Sequence, residues 1–196
     1  ALEFCSSLGP DAQPKIADIG TGSGAIAIAI ANKVSNAIVF ATDVSKPALS
    51  TANLNLKKYR LTERVYLCLG DLCDALPTQV DLVVSNLPYI PTNEINSLSP
   101  EIHHEPNLSI DGGKDGLDLI KRMIDQIPRY LRPAGRGFIE ISPEQLNSIN
   151  EFTQTPSSKV QISFHRDLIG LPRVVEMVLG KDVVNDSVSI EKQLNA

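Results

Sequence analysis

Two short stretches of the chain combine residue types that could do chemistry. Asn86-Leu87-Pro88-Tyr89 offers a carboxamide, a backbone carbonyl ahead of a proline, and an aromatic ring. Such a set suits a planar amide or aromatic amine as substrate. The nitrogen lone pair of such a group is delocalised, so it is a poor nucleophile and has to be aimed. Asn86 Oδ1 and the Leu87 carbonyl are two acceptors for its N–H groups. Pro88 restricts the backbone that presents this carbonyl, and Tyr89 lends a flat face. The contribution is alignment for an in-line displacement.

The second stretch is Asp18-Ile19-Gly20-Thr21-Gly22-Ser23-Gly24. Its glycines allow a tight turn and a close approach to a ligand. Two cofactor classes compete for it. Dinucleotide enzymes use GxGxxG or GxGxxA, and Gly20, Gly22 and Ala25 satisfy the second form. Methyltransferases place an acidic residue two positions before GxGxG, which the chain shows in full. Asp43 has two readings, a carboxylate for both ribose hydroxyls of a nucleoside or an acid favoured at a helix N-terminus. Asp71 could meet an adenine amino group, with Leu72 over one face of the ring. If the cofactor is S-adenosylmethionine, its sulfonium already carries the charge that drives departure. No metal is then needed, and a strong general base is not obligatory.

Elements that must position these residues follow from periodicity. Residues 15–18, 37–42, 65–69, 81–85 and 137–141 read as strands. Residues 25–33, 45–58, 116–130 and 144–152 read as helices, with Pro47 in a first turn where its missing N–H costs nothing. Residues 161–166 and 173–179 close the series as two strands with no helix between them. Alternation of strand and helix predicts a parallel sheet with helices on both faces, and ligands in such sheets bind beyond the carboxyl ends of the strands. The short final connection requires an antiparallel pair. The expected fold is therefore α/β and Rossmann-like: a mostly parallel seven-stranded sheet with one antiparallel strand near the edge. Residues 93–114 read as a long loop, a length often tied to function. Residues 1–180 form the expected catalytic domain, and 181–196 a polar tail.

Composition narrows the classes. With 42% hydrophobic and 21% charged residues, the chain can bury a real core. Its net charge of -5 argues against a dedicated nucleic-acid binder. Cys5, Cys68 and Cys73 fit no disulfide or CxxC pattern, the use expected of a reducing cytosol. The longest aliphatic run, residues 25–31, is too short to span a bilayer.

Taken together, ADIGTGSGAIAIAIA, ATDVSKPALSTANLN, DLVVSNLPYIP, EPNLSIDGGKDGLDLI, GFIEISPEQ and RDLIGLPRVVEMVLG make the chain resemble the peptide-chain release factor glutamine N5-methyltransferases, the HemK/PrmC group. The resemblance runs from about Ile16 to Gly180, and residues 105–118 are its most specific part. It implies methyl transfer from S-adenosylmethionine, leaving S-adenosylhomocysteine, to the glutamine of a Gly-Gly-Gln motif. Asn86, Leu87, Pro88 and Tyr89 would hold that glutamine. Asp18, Gly20, Thr21, Gly22, Ser23, Gly24, Asp43, Asp71, Leu72 and Asn86 would hold the cofactor.

The implied partner is a class I release factor, with no membrane, a monomeric state and a cytoplasmic location, or an organelle if a targeting segment was removed. The family usually has NPPY. Leu87 keeps the carbonyl and is expected to leave the loop slightly less rigid. The small helical N-terminal domain of the family is expected to be missing from this chain. NLPY also occurs in ribosomal RNA adenine dimethyltransferases, so adenine N6-methylation of RNA or DNA stays open. So do an NAD dehydrogenase and a nucleotide-binding module without catalysis. His103 and His104 adjoin the loop but lack a third metal ligand at suitable spacing. Glu140 and Arg173 are expected to be structural, the latter ordering the last strands.

Overall fold

A computed structural model describes residues 1–9, 11–97, 107–155 and 158–180. Their elements run α1 (Leu2–Ser7), β1 (Lys15–Ile19), α2 (Ala25–Lys33), β2 (Ile38–Asp43), α3 (Lys46–Tyr59), β3 (Val65–Leu69), β4 (Val80–Ser85), α4 (Asp118–Tyr130), β5 (Leu131–Glu140), α5 (Leu146–Thr153), β6 (Val160–Arg166) and β7 (Pro172–Leu179). One seven-stranded sheet has the order β3-β2-β1-β4-β5-β7-β6. Strands β1 to β5 are parallel, and β7 runs antiparallel to both of its neighbours. The expected architecture and the antiparallel strand next to the edge are both present.

The sheet separates two cores, because successive strand residues face opposite ways. Ile16, Leu82 and Val84 pack with Ile28, Ile30 and Leu56 of α2 and α3. Ala17, Ile19 and Val83 pack with α4 and α5 on the other face. Helix α4 presents Ile120, Met123, Ile124 and Ile127, a stripe at helical spacing, all buried. Ser45 caps α3 by accepting from the Ala48 amide at 3.3 Å.

Some boundaries differ from expectation for local reasons. Helix α4 begins at Asp118 rather than 116, because Gly116 has φ +72°. Strand β5 begins at Leu131, six residues early. Its ladder with β4 passes from Val80↔Leu131 to Leu82↔Arg136, so residues 132–135 bulge out. Pro133 and Ala134 (φ +64°) sit in that bulge and hide the strand in the sequence. The predicted helix over 144–152 opens with a 3₁₀ turn, Pro143–Gln145. Helix α1, which periodicity did not reveal, docks through buried Cys5. Within the long connection, Ile95–Ser97 and Asn107–Ser109 are 3₁₀ turns. His103 and His104, like Glu105 and Pro106 and the tail from 181, lie outside the described residues. No described helix is long and apolar enough to cross a membrane.

Candidate active site

Ile19 pairs with Thr42 on one side and Ser85 on the other, so β1, β2 and β4 end level. Asp43 pairs with Leu69, bringing β3 to the same line. Chain order reverses on either side of β1 and β4, which makes this edge a topological switch point. Four loops therefore open side by side, across roughly 14 Å at ordinary strand spacing. Together they enclose a cavity of about 430 Å³. Of the residues singled out in the sequence, Gly20, Gly22, Asp43, Asp71, Leu72, Asn86, Leu87 and Pro88 line it.

The glycine loop is held from within. Asp18 is buried, and its Oδ2 accepts from Thr21 Oγ1 at 2.6 Å and from the Ala27 amide at 2.9 Å. Asp43 Oδ2 accepts from the Gly22 amide at 2.9 Å, while Oδ1 accepts from the Ser45 amide at 2.8 Å. Asp43 thus fixes the Ser45 amide just ahead of α3, and it stands in the cavity wall. Asp18, Thr21, Ser23 and Gly24 do not line the cavity; Asp18 and Thr21 are buried under the loop. Burial pushes the Asp18 carboxyl up to about 6, against the two hydrogen bonds that favour its ionised form. Its Oδ1 is a buried side-chain atom without a partner among the described residues.

Asn86 leaves the end of β4 exposed, with its side chain at the cavity wall. Ser85 beneath it donates to the Ile19 carbonyl at 2.7 Å and ties the two loops together. Leu87 is 3% exposed and packs into the core, its Cδ2 3.0 Å from where a Cβ on Gly20 would stand. The leucine at the position of the family's proline is thus a buried anchor of the loop.

Tyr89 stands apart from the other three residues of NLPY. It lines an adjacent cavity of about 260 Å³ with Glu94, Asp115, Glu144 and Gln145, not the main one. Burial raises its phenol above the usual range, and so does the Glu140 carboxylate that shares a hydrogen bond with it, while Arg173 opposes. Glu140 therefore acts on Tyr89. Arg173 bonds Asp167 through Nε at 3.3 Å and so braces the β6–β7 turn, as expected.

Residues 110–116 back the Asn86 loop. Ile90 and Gly112 exchange backbone bonds with Ile110 and Ile90 at 3.2 and 2.9 Å, and the Thr92 amide donates to the Gly113 carbonyl at 2.9 Å. A Cβ on Gly112 would stand 2.8 Å from the Pro88 carbonyl, and one on Gly116 2.2 Å from the Tyr89 carbonyl. That close approach explains the DGG and DGLD glycines. Cavity residues missed in the sequence include Thr42, Ala48, Leu108, Leu119 and Arg122. Arg122 forms an ion pair with Asp71 at the rim. Leu119 and Arg122 share a helix face by their i, i+3 spacing, but the sequence does not show which loop they reach.

Among known proteins, the chain is 41% identical over 177 residues to a protein of Gloeobacter violaceus named "Release factor glutamine methyltransferase", covering 89% of this chain and 61% of that protein. It is 35% identical over 168 residues to a Francisella tularensis subsp. tularensis protein named "Ribosomal protein uL3 glutamine methyltransferase", covering 85% of this chain and 54% of the relative. The chain thus spans about six-tenths of the length of the curated relatives it matches. The fold is shared with the solved ribosomal protein L11 methylase of Lactobacillus delbrueckii subsp. bulgaricus (TM-score 0.63, 20% identity, 91% of this chain and 76% of that one). Residues 4–104 match the family described as the methyltransferase small domain, and with the sheet order and the glycine loop in agreement, the chain belongs to that family.

Proposed function

We propose that the chain transfers a methyl group from S-adenosylmethionine to the side-chain amide nitrogen of glutamine, in the Gly-Gly-Gln motif of a class I release factor. The observation that carries this reading is Asn86: an exposed carboxamide at the wall of the cavity that the glycine loop and Asp43 also form. The relatives named for release factor and for uL3 share glutamine as their target residue, which supports the amide chemistry.

The residues present fit the cofactor. Gly20 and Gly22 leave the wall bare of side chains, Asp43 offers carboxylate lone pairs at the end of β2, and Leu72 gives an apolar surface. Unpartnered Asp18 Oδ1 leaves buried negative character under the loop, which favours a cationic ligand above it. When bound, S-adenosylmethionine supplies an electrophilic methyl on a sulfonium.

This chain supplies alignment. Asn86 Oδ1 accepts one N–H of the substrate amide and the Leu87 carbonyl accepts the other, which turns the nitrogen lone pair toward the methyl. The Leu87 carbonyl accepts no backbone hydrogen bond among the described residues, whereas the Tyr89 carbonyl is already engaged by Gln145. Once the methyl has moved, the nitrogen loses its extra proton to solvent.

A second reading, glutamine methylation of ribosomal protein uL3, is favoured by the relatives of that name. Incubation with labelled S-adenosylmethionine and, separately, a release factor, uL3 and ribosomal RNA tests both. Label on a release-factor glutamine is expected. Label on uL3 alone moves the substrate, and label on adenine overturns the amide chemistry.

A further inference from the structure

We infer that Gln145 is a positioning residue for methyl transfer, acting through the Asn86 loop. The inference rests on the glutamine-methylation reading above. Gln145 lies in the 3₁₀ turn between β5 and α5, and it is 6% exposed. Its Nε2 donates to the Tyr89 carbonyl at 3.0 Å and to the Gly116 carbonyl at 2.9 Å. Its Oε1 accepts from the Ser142 amide at 3.0 Å. One side chain therefore joins three segments: the loop after β4, the DGLD turn before α4, and the turn after β5.

Only a carboxamide of this length satisfies the arrangement. Two carbonyls require two donors, and one amide N–H requires an acceptor. A carboxylate in the same place would set negative oxygens against two carbonyls in a buried site. Asparagine would fall one methylene short.

The consequence reaches the chemistry through the backbone. Leu87 is pinned by its side chain in the core, and Pro88 has a restricted φ. The Tyr89 carbonyl is pinned by Gln145. With both ends fixed, the Leu87 carbonyl keeps one orientation, and Asn86 keeps its place beside it. Glycine at 116 lets the clamp close, since a Cβ there would stand 2.8 Å from Gln145 Nε2. Gln145 touches the second cavity rather than the first, so it bears on substrate alignment and not on the cofactor pocket.

The test uses Gln145→Glu and the near-isosteric Gln145→Met, with melting temperature recorded for both. Steady-state transfer to an intact release factor and titration with S-adenosylhomocysteine are run on the same preparations. Each folded variant should lose roughly 10- to 100-fold in kcat, the scale of a misaligned reacting pair. Affinity for S-adenosylhomocysteine should stay within about threefold, since no contact of Gln145 reaches that pocket. For Gln145→Glu, kcat relative to wild type should recover in part as pH falls from about 8 to about 6, as the buried carboxyl takes up a proton and supplies one of the two donors. A folded variant with kcat within twofold of wild type overturns the inference. So does a parallel loss of kcat and cofactor affinity, or a flat relative pH profile for Gln145→Glu. If wild type itself labels no glutamine, the reading beneath the inference falls instead.

Discussion

The two loops that form the cavity are built in opposite ways. The glycine loop after β1 is held by its own neighbourhood: Asp18 binds Thr21 and Ala27, and Asp43 binds Gly22. The Asn86 loop after β4 is held by remote segments, with Gln145 56 residues away and the 110–116 turn packed behind it. A cradle for a common cofactor can be specified locally. A platform that must aim one particular nitrogen is braced by parts of the chain that can vary independently of the cradle. On the proposed function the work is divided: the first loop would bind the cofactor and the second would align the substrate.

The sharpest way to break this division is Asn86→Ala. It removes an acceptor for the substrate amide and should lower the methyl-transfer rate by roughly 100-fold or more. Single-turnover transfer measures it, and near-normal transfer would reduce NLPY to a turn. Asp43→Ala should act on the other side of the division. Loss of charge-assisted hydrogen bonds to ribose should weaken S-adenosylhomocysteine binding by about 1–3 kcal/mol, read by calorimetry. An unchanged dissociation constant in a folded variant rules out the ribose role.

One substitution, made in the glycine loop and in the turn that backs the Asn86 loop, sharpens the contrast. Gly116→Ala drives a Cβ into the Tyr89 carbonyl at φ +72° and should cost roughly tenfold in transfer, with cofactor affinity kept. Gly22→Ala meets no atom within 4 Å, so only its φ of +57° opposes it. That strain, about 1 kcal/mol, should lower the melting temperature, and the methyl added to the cavity wall should weaken cofactor affinity several-fold. Reversed outcomes in the two variants would contradict the assignment of roles.

The smallest effect expected is with pH. Asp18 is raised to about 6 from an ordinary 3.8, chiefly by burial. Its folded form holds the proton more tightly than the unfolded chain. The stability it contributes is therefore full below about pH 4 and is lost as pH rises through about 6. A cationic cofactor favours the ionised carboxylate, so affinity for S-adenosylmethionine should rise a few-fold between about pH 5 and pH 7. Asp18→Asn should flatten that rise. An equal rise in the variant assigns it to another group.

The same contrast explains what could be read in the sequence. Asp18, the glycines and Asp43 stand within 26 residues of one another, and their pattern carries their geometry. The parallel sheet was legible because its strands are separated by periodic helices, and the antiparallel β7 because six residues cannot make a crossover. Which cavity Tyr89 lines is not legible, because a strand-to-loop turn does not announce which way its next side chains leave. Here the residue lines the second cavity, hydrogen-bonded to Glu140. Leu87 looked like a weaker proline because only the packing shows it anchored in the core. The bracing by Gln145 and Gly116 was invisible for the same reason, since their partners lie far away in sequence. Pro133 and Gly135 concealed the start of β5, a feature only the ladder with β4 reveals.

The most direct test of the divided labour is to place Asp43→Ala and Asn86→Ala side by side. S-adenosylhomocysteine affinity and single-turnover methyl transfer at saturating cofactor would be measured on the same folded preparations. Asp43→Ala should lose affinity and keep most of its transfer rate. Asn86→Ala should keep its affinity and lose the rate. If both variants lose both quantities in the same proportion, the two loops do not divide the work, and the account is wrong.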